Sequence, residues 1–283
     1  GIERANVLFK TLLEQHPEDT DLKLMYGGLL LAEKKPEEAK FQFQLVTEME
    51  PGNAGAWQQL LNMALKAEDI EEVSRICQKC MELFPKAPEY YFYQGIAYFQ
   101  QGKFQEALNV YYAGVKIIPK ENLPLKSDFY GQIGDIYHEL KRQEQAYRAY
   151  EEALKYNENN VAVLNNYSYF LCLEKKDLKK AERMCAQCIK LEPDNATYLD
   201  TYAWIFFMQG NYTLAKIYSE SALEKDKTQS FELVDHYGDI LFMTGEKDKA
   251  VEQWKKAKEM GKVSEVLDRK IAEEKYIEDE NAQ

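Results

Sequence analysis

The sequence predicts an all-α protein, an α-α superhelix built from antiparallel helix pairs. Four prolines, Pro17, Pro51, Pro85 and Pro119, follow one another at intervals of 34 residues. A fixed period of that length is typical of helix-turn-helix solenoids, in which each repeat buries its apolar face against its neighbours. Between the prolines, apolar residues recur at spacings of three and four, as amphipathic helices require.

Small and aromatic residues repeat in phase with these prolines. With each proline counted as position 32 of a repeat, position 8 holds Gly27 and Gly95, and position 24 holds Phe43 and Tyr111. This pattern resembles the tetratricopeptide repeat. The resemblance implies a right-handed solenoid in which small residues let the paired helices approach and larger residues fill the space between layers.

The repeats predict a single solenoid over residues 1–283. Residues 1–16 resemble only the second helix of a repeat, which leaves Leu8 and Phe9 without a partner helix, so we expect this chain to be the C-terminal part of a longer protein. The full repeats are predicted at residues 20–53, 54–87, 88–121, 127–160, 161–195, 196–229 and 230–262. A capping helix over residues 264–276 is predicted to cover the end of the stack.

Turn and cap residues fall where this period expects them. Asn53 and Asn195 follow Pro-Gly and Pro-Asp turns and are predicted to cap the next helix. Gly102, Gly210 and Gly245 lie between paired helices, where a left-handed residue is expected to end the first helix.

Composition and charge restrict the class of partner. The chain has 48 acidic and 36 basic residues and a net charge of -12. Binding to a phosphate backbone needs clustered Lys and Arg, so we expect no nucleic-acid partner. The chain contains no run of 18 apolar residues, so we expect no transmembrane segment in it.

Two CxxC pairs offer a possible metal or redox site. Cys77 and Cys80 form one pair, and Cys185 and Cys188 form the other. Both pairs occupy positions 24 and 27 of a second helix, where the repeat pattern requires buried residues, so they are predicted to be core residues. Cys172 makes the total odd, which argues against a disulfide framework. We therefore expect no metal and no cofactor.

Catalytic motifs are absent from the sequence. His16, His138 and His236 are scattered, with no HExxH motif, no phosphate-binding glycine loop and no GxSxG motif around them. We expect His138 and His236, which fall on first helices, to be ordinary polar surface residues. The sequence therefore predicts no catalytic residues and no enzyme.

The family resemblance predicts a partner-binding groove. In tetratricopeptide repeats the first helix of each pair lines the inner surface through positions 2, 5, 9, 12 and 13. These positions correspond here to Phe92, Phe99, Asp128, Asp135, His138, Asn165, Tyr169, Asp200, Trp204, Phe207, Asp235 and Asp239. Aromatic rings beside carboxylates favour a protein or peptide segment with basic and apolar residues. An alternative stays equally open, in which the rings pack between helices and the carboxylates are merely solvated.

Three functional hypotheses follow. The leading one is a non-catalytic protein–protein interaction scaffold that binds a partner segment in the groove. The alternative is a recruiting or regulatory arm of a larger enzyme whose catalytic domain lies outside this chain, and the third is self-association. The run from Tyr198 to Trp204 is similar to long bacterial tetratricopeptide repeat proteins, some of them envelope lipoproteins. That similarity favours a lipid-anchored periplasmic location over a cytoplasmic one.

Overall fold

The computed structural model describes residues 1–281, which form sixteen α-helices joined by short turns. This architecture confirms the all-α prediction. The helices group into two compact units, with the boundary between Gln143 and Glu144. The single solenoid over residues 1–283 stays a prediction, and its residues 282 and 283 lie outside the described part of the chain.

The first unit contains eight helices in its described residues. Their bounds are α1 (Ile2–Gln15), α2 (Thr20–Ala32), α3 (Pro36–Met49), α4 (Ala54–Lys66), α5 (Ile70–Leu83), α6 (Pro88–Gln100), α7 (Phe104–Ile117) and α8 (Leu123–Glu139). Each helix from α1 to α7 packs against the next one along the chain.

The second unit contains the remaining helices of the described residues. Their bounds are α9 (Gln143–Tyr156), α10 (Val161–Leu173), α11 (Leu178–Leu191), α12 (Ala196–Met208), α13 (Tyr212–Lys225), α14 (Phe231–Met243), α15 (Lys247–Glu259) and α16 (Glu265–Glu273). The first helices α10, α12 and α14 also contact one another in sequence. The candidate site lies on these three helices.

Side-chain caps begin several helices as predicted. Asn53 accepts a hydrogen bond from the backbone of Ala56, and Asn195 accepts from Thr197 and Tyr198. These bonds satisfy backbone donors that have no partner within the helix. The predicted left-handed turns are confirmed at Gly102, Gly210 and Gly245, where φ is 72°, 79° and 88°.

Close packing between paired helices explains the small residues of the repeat. A Cβ placed on Gly27 of α2 would lie 2.5 Å from the ring of Phe43 on α3. In the last pair, a Cβ on Gly238 of α14 would lie 2.6 Å from the indole of Trp254 on α15. Each aromatic ring therefore occupies the space that a side chain at position 8 would need.

The two CxxC pairs are core residues, as predicted. Cys77 and Cys80 lie on α5, Cys185 and Cys188 lie on α11, and all four side chains are fully buried. Burial raises the pKa of the Cys77 and Cys80 thiols to about 12. The thiols therefore serve as small apolar packing groups.

Whether a helix can span a membrane depends on its length and its apolar character. No helix formed by residues 1–281 combines the length and the apolar character needed to span a membrane.

Candidate functional site

Two carboxylates lie on the same face of α14. Asp235 and Asp239 are four residues apart, a spacing that places both side chains on one side of an α-helix. Only 5% of Asp235 and 4% of Asp239 is exposed. Burying two carboxylates together is costly unless counter-charges neutralise them.

Two lysines from the last part of the chain supply those counter-charges. The Lys270 ammonium on α16 lies 2.5 Å from Asp235 Oδ1 and 2.8 Å from Asp239 Oδ1. The Lys262 ammonium lies 2.7 Å from Asp235 Oδ2. These four residues are called the aspartate–lysine cluster below. Trp254 on α15 donates its indole N–H to Asp239 Oδ1 at 2.9 Å, so the cluster joins three helices.

The pKa values of the two carboxyl groups in the cluster are shifted in opposite directions. Burial works to raise the pKa of Asp235, but the ammoniums of Lys270 and Lys262 outweigh it and hold the pKa below its usual value. Burial raises the pKa of Asp239 above its usual value despite Lys270, and the Asp235 carboxylate adds to the rise. The pair thus keeps Asp235 as the firmly ionised partner.

A second charged pair joins α14 to α12 of the preceding repeat. His236 Nδ1 on α14 is 2.8 Å from Asp200 Oδ2 on α12. Burial disfavours the charged imidazole, but Asp200, with Asp235 and Asp239 behind it, raises the pKa of His236 to about 9. At neutral pH the imidazolium therefore donates to Asp200. The other oxygen of Asp200, Oδ1, is buried without a hydrogen-bond partner in the described part of the chain.

Stacked rings support this pair. The Trp204 indole lies 4.3 Å from the His236 ring at an interplanar angle of 20° and 4.4 Å from the Phe207 ring at 8°. We call these three rings the ring stack. Its outer member, Phe207, meets the edge of Tyr276 at 5.4 Å. A cation against an indole face is a favourable contact, so the stack helps to hold the charged imidazole.

A cavity of about 370 Å³ opens beside these groups and lies wholly within the second unit. We call it the second-unit cavity. Aromatic and charged side chains share its lining, which includes Tyr169, Lys175, Trp204, Glu232, Asp235, His236, Asp239, Lys262, Lys270 and residues 276–280. Ligand sites are typically concave surfaces of this size, and this one combines aromatic side chains with many charged ones.

The structure brings together most groove residues predicted for the second unit. Tyr169, Trp204, Asp235 and Asp239 line the cavity. The other three are outside its lining: Asp200 bonds to His236, Phe207 stacks on Trp204, and Asn165 is buried on α10.

The groove residues predicted for the first unit lie on α6 and α8. Phe92 is half-buried and packs 5.3 Å from the ring of Phe129. Phe99 packs against Phe104, with ring centroids 5.4 Å apart. His138 is half-buried and contacts Gln143 through Nδ1. Asp128 is exposed and Asp135 is half-buried on α8.

The expectation that His236 is ordinary polar surface is wrong. Its side chain is only 15% exposed and lies between Asp200 and Trp204. Sequence reasoning also missed Lys262, Lys270 and residues 276–280. One signal pointed to buried cations: two carboxylates one turn apart, on a helix that is apolar on both sides of them, need counter-charges nearby.

Comparison with protein families identifies the repeat. Family models described as "Tetratricopeptide repeat" match residues 2–64, 88–120 and 127–160. These segments of the chain are tetratricopeptide repeats. This result confirms the resemblance drawn from the sequence, whereas the similarity to bacterial envelope lipoproteins stays a prediction.

Solved structures of tetratricopeptide repeat proteins share the fold. A tetratricopeptide repeat protein from Parabacteroides merdae gives a TM-score of 0.66 at 18% identity, covering 90% of this chain and 98% of that one. The APC/C hetero-tetramer Cut9-Hcn1 gives 0.73 at 12% identity, covering 96% and 52%. Yeast Tom70 gives 0.58 at 18% identity, covering 96% and 58%.

Characterised relatives are distant and much longer. The protein O-mannosyl-transferase TMTC3 of Homo sapiens is 22% identical over 80% of this chain. The BBSome complex member BBS4 of Bos taurus is 24% identical over 66% of it. The chain spans only 27% of the first relative and 34% of the second. The similarity to a transferase therefore establishes no enzymatic activity for this chain.

Proposed function

We propose that this chain is a non-catalytic protein-interaction scaffold, and that the face formed by α10, α12 and α14 binds a partner segment. The observation that carries the proposal is the second-unit cavity. Its aromatic rings stack on one another and its charged groups form ion pairs, so both are fixed in position. Rigid aromatic anchors surrounded by fixed charges are the usual elements of protein recognition.

Relatives that work in assemblies support this proposal. Cut9 forms a hetero-tetramer with Hcn1, and BBS4 is a member of the BBSome complex. Assembly with other chains is thus found among proteins that share this fold.

The chemistry of the partner differs from what the sequence first predicts. Its preference for apolar residues is supported by Tyr169 and Trp204 in the cavity wall. Its preference for basic residues loses support in the second unit, because Lys262 and Lys270 already neutralise Asp235. A basic partner stays a prediction for the first unit.

Site-specific photo-crosslinking tests the scaffold proposal. Tyr169 is replaced by benzoylphenylalanine, whose extra ring the cavity has room for, and the purified chain is irradiated in extract from its source cells. We expect crosslinks to one recurrent segment of a partner protein. The control places the same residue at Ile217 of α13, which is 56% exposed and remote from the cavity lining. Equal crosslinking from both positions would contradict the proposal.

A second candidate is a recruiting arm of a larger enzyme. The similarity to protein O-mannosyl-transferase TMTC3, of which the chain spans 27%, favours it. Sequencing the gene on both sides of residues 1–283 tests this candidate, because a catalytic domain in the same reading frame is its necessary condition. Self-association stays a prediction, which light scattering over a range of protein concentrations tests.

A further inference from the structure

Residues 276–280 lie along the second-unit cavity and form part of its wall. We call them the closing segment. The Tyr276 ring meets Phe207 edge-on at 5.4 Å, and the Glu278 carboxylate lies 2.5 Å from the Lys175 ammonium. The closing segment is therefore held at two points, by an aromatic contact to α12 and by an ion pair to the turn that follows α10.

The closing segment supplies an acidic partner for one cation of the cavity lining. Its sequence is Tyr-Ile-Glu-Asp-Glu, an aromatic residue followed by three carboxylates within four positions. The lining outside the segment carries three carboxylates against three lysines and one histidine: Glu232, Asp235 and Asp239 against Lys175, Lys262, Lys270 and His236. Because Asp200 pairs with His236, these charges balance, and the Lys175 ammonium takes its carboxylate from Glu278 of the closing segment.

The closing segment is held weakly. Glu278 and Lys175 are 51% and 57% exposed, and exposed ion pairs contribute about 0 to 1 kcal/mol. Tyr276 is only partly buried. A volume of about 370 Å³ remains beside the segment, so it fills the site incompletely. A ligand with more apolar surface would make contacts that the segment does not make.

We propose that the closing segment is a built-in, displaceable occupant of the second-unit cavity. The external ligand is an extended protein segment of the same chemistry, with an aromatic side chain followed two residues later by carboxylates. This inference rests on the proposed function, because it names the class of partner for the same surface.

The covalent attachment of the segment sets the size of the effect. A tethered competitor acts at an effective concentration on the order of 1 mM. If the segment has an intrinsic Kd of about 0.1 mM, the attached copy lowers the apparent affinity of an added segment about tenfold. Releasing the attached copy restores that affinity.

Fluorescence anisotropy with a labelled peptide tests the displacement. The peptide repeats residues 274–281, Glu-Lys-Tyr-Ile-Glu-Asp-Glu-Asn. It is titrated with the unchanged full chain and with an opened full chain that carries Tyr276→Ser and Glu278→Ser. We expect about tenfold tighter binding to the opened chain. Circular dichroism and the thermal midpoint verify that both chains are equally folded.

Charge exchange at Lys175 locates the binding. In the opened chain, Lys175→Glu is expected to weaken binding of the peptide about fivefold, because it turns the attractive pair into a repulsive one. A peptide with Lys in place of the residue equivalent to Glu278 should recover the loss. Lys176→Glu is the matched control, since Lys176 is a similarly exposed neighbour that pairs with Glu174 and is not in the cavity lining.

Two results would overturn the inference and leave the scaffold proposal standing. One is equal affinity of the opened and unchanged chains for the peptide. The other is tighter binding of a Tyr-Ile-Lys-Lys-Lys peptide than of the acidic one. The scaffold proposal itself fails only through the crosslinking experiment at Tyr169, so the two failures are distinguishable.

Discussion

The ammonium of Lys270 lies 2.8 Å from the carboxylate of Asp239, and only 3% and 6% of the two side chains are exposed. Lys270 belongs to α16 and Asp239 to α14, so the ion pair ties the last helix to the last repeat. Buried pairs of this kind hold a specific arrangement of elements, because breaking them leaves a charge that water cannot reach.

Removal of the Lys270 charge should therefore destabilise the second unit strongly. Lys270→Met keeps the length of the side chain but leaves Asp235 paired only with Lys262 and Asp239 without a cation. We expect a loss of about 3 to 5 kcal/mol in the free energy of unfolding, measured by urea denaturation. Lys258→Met is the control, because Lys258 forms an exposed pair with Asp268 and should cost less than about 1 kcal/mol. Similar losses in both variants would refute a structural role for the cluster.

Stability should fall as pH rises from neutral to alkaline. The pKa of His236 is raised from 6.5 to about 9 by Asp200, Asp235 and Asp239 acting against burial. A group with a raised folded-state pKa contributes its full stability below the unfolded value of 6.5 and loses it as pH passes through 9. We expect a loss of about 3 kcal/mol across this window.

The His236→Gln variant isolates this pH effect. Glutamine keeps a hydrogen-bond donor for Asp200 but does not titrate. Urea denaturation between pH 6.5 and pH 9.5 should give a sloping stability curve for the unchanged chain and a flatter one for the variant. Parallel curves would show that His236 does not carry the dependence.

Two adjacent glycines on α2 should respond oppositely to alanine. A Cβ on Gly27 would lie 2.5 Å from the Phe43 ring, whereas a Cβ on Gly28 meets nothing within 4 Å. We expect Gly27→Ala to lower the free energy of unfolding by about 1 to 3 kcal/mol through overpacking. Gly28→Ala should raise it by about 0.5 to 1 kcal/mol, because alanine favours a helix. Thermal midpoints decide the prediction, and the same sign for both changes would contradict it.

The five native thiols should not react in the folded protein. Burial raises the pKa of Cys77, Cys80 and Cys172 to about 12, so the thiolate fraction at pH 8 is on the order of 10⁻⁴. We expect no labelling by a thiol-specific chromogenic disulfide in native buffer and release of all thiols in guanidinium. Val263→Cys is the positive control, because that position is 98% exposed. Rapid labelling of the unchanged chain would place a thiol at the surface.

The repeat was predictable because its register is local. Gly27 and Phe43 occur at fixed positions within one helix pair, and the clash that excludes a side chain at Gly27 involves only that pair. The CxxC pairs were assigned to the core for the same reason. The periodicity of the sequence identifies each repeat directly, because the two helices of every repeat pack in the same way.

The charged cluster was not predictable from that register. Lys270 meets Asp239 across 31 residues, and the position of α16 relative to α14 does not follow from the repeat pattern. The sequence showed an apolar stripe on α16, which suggested a cap, but not which cation on it would face inward. Residues 276–280 follow that helix, so their path along the cavity was equally hidden.

Lys175 lies in an exposed turn, where it contacts the closing segment and not the core. Its φ of 56° is the left-handed conformation that Gly102, Gly210 and Gly245 adopt at the ends of other first helices. As at Lys34, Glu68 and Lys141, the chain accepts local backbone strain here. At Lys175 it gains an ammonium that pairs with Glu278 and that no core contact requires. The charge that a bound segment meets is therefore free to change through evolution, or by design, without repacking a single helix.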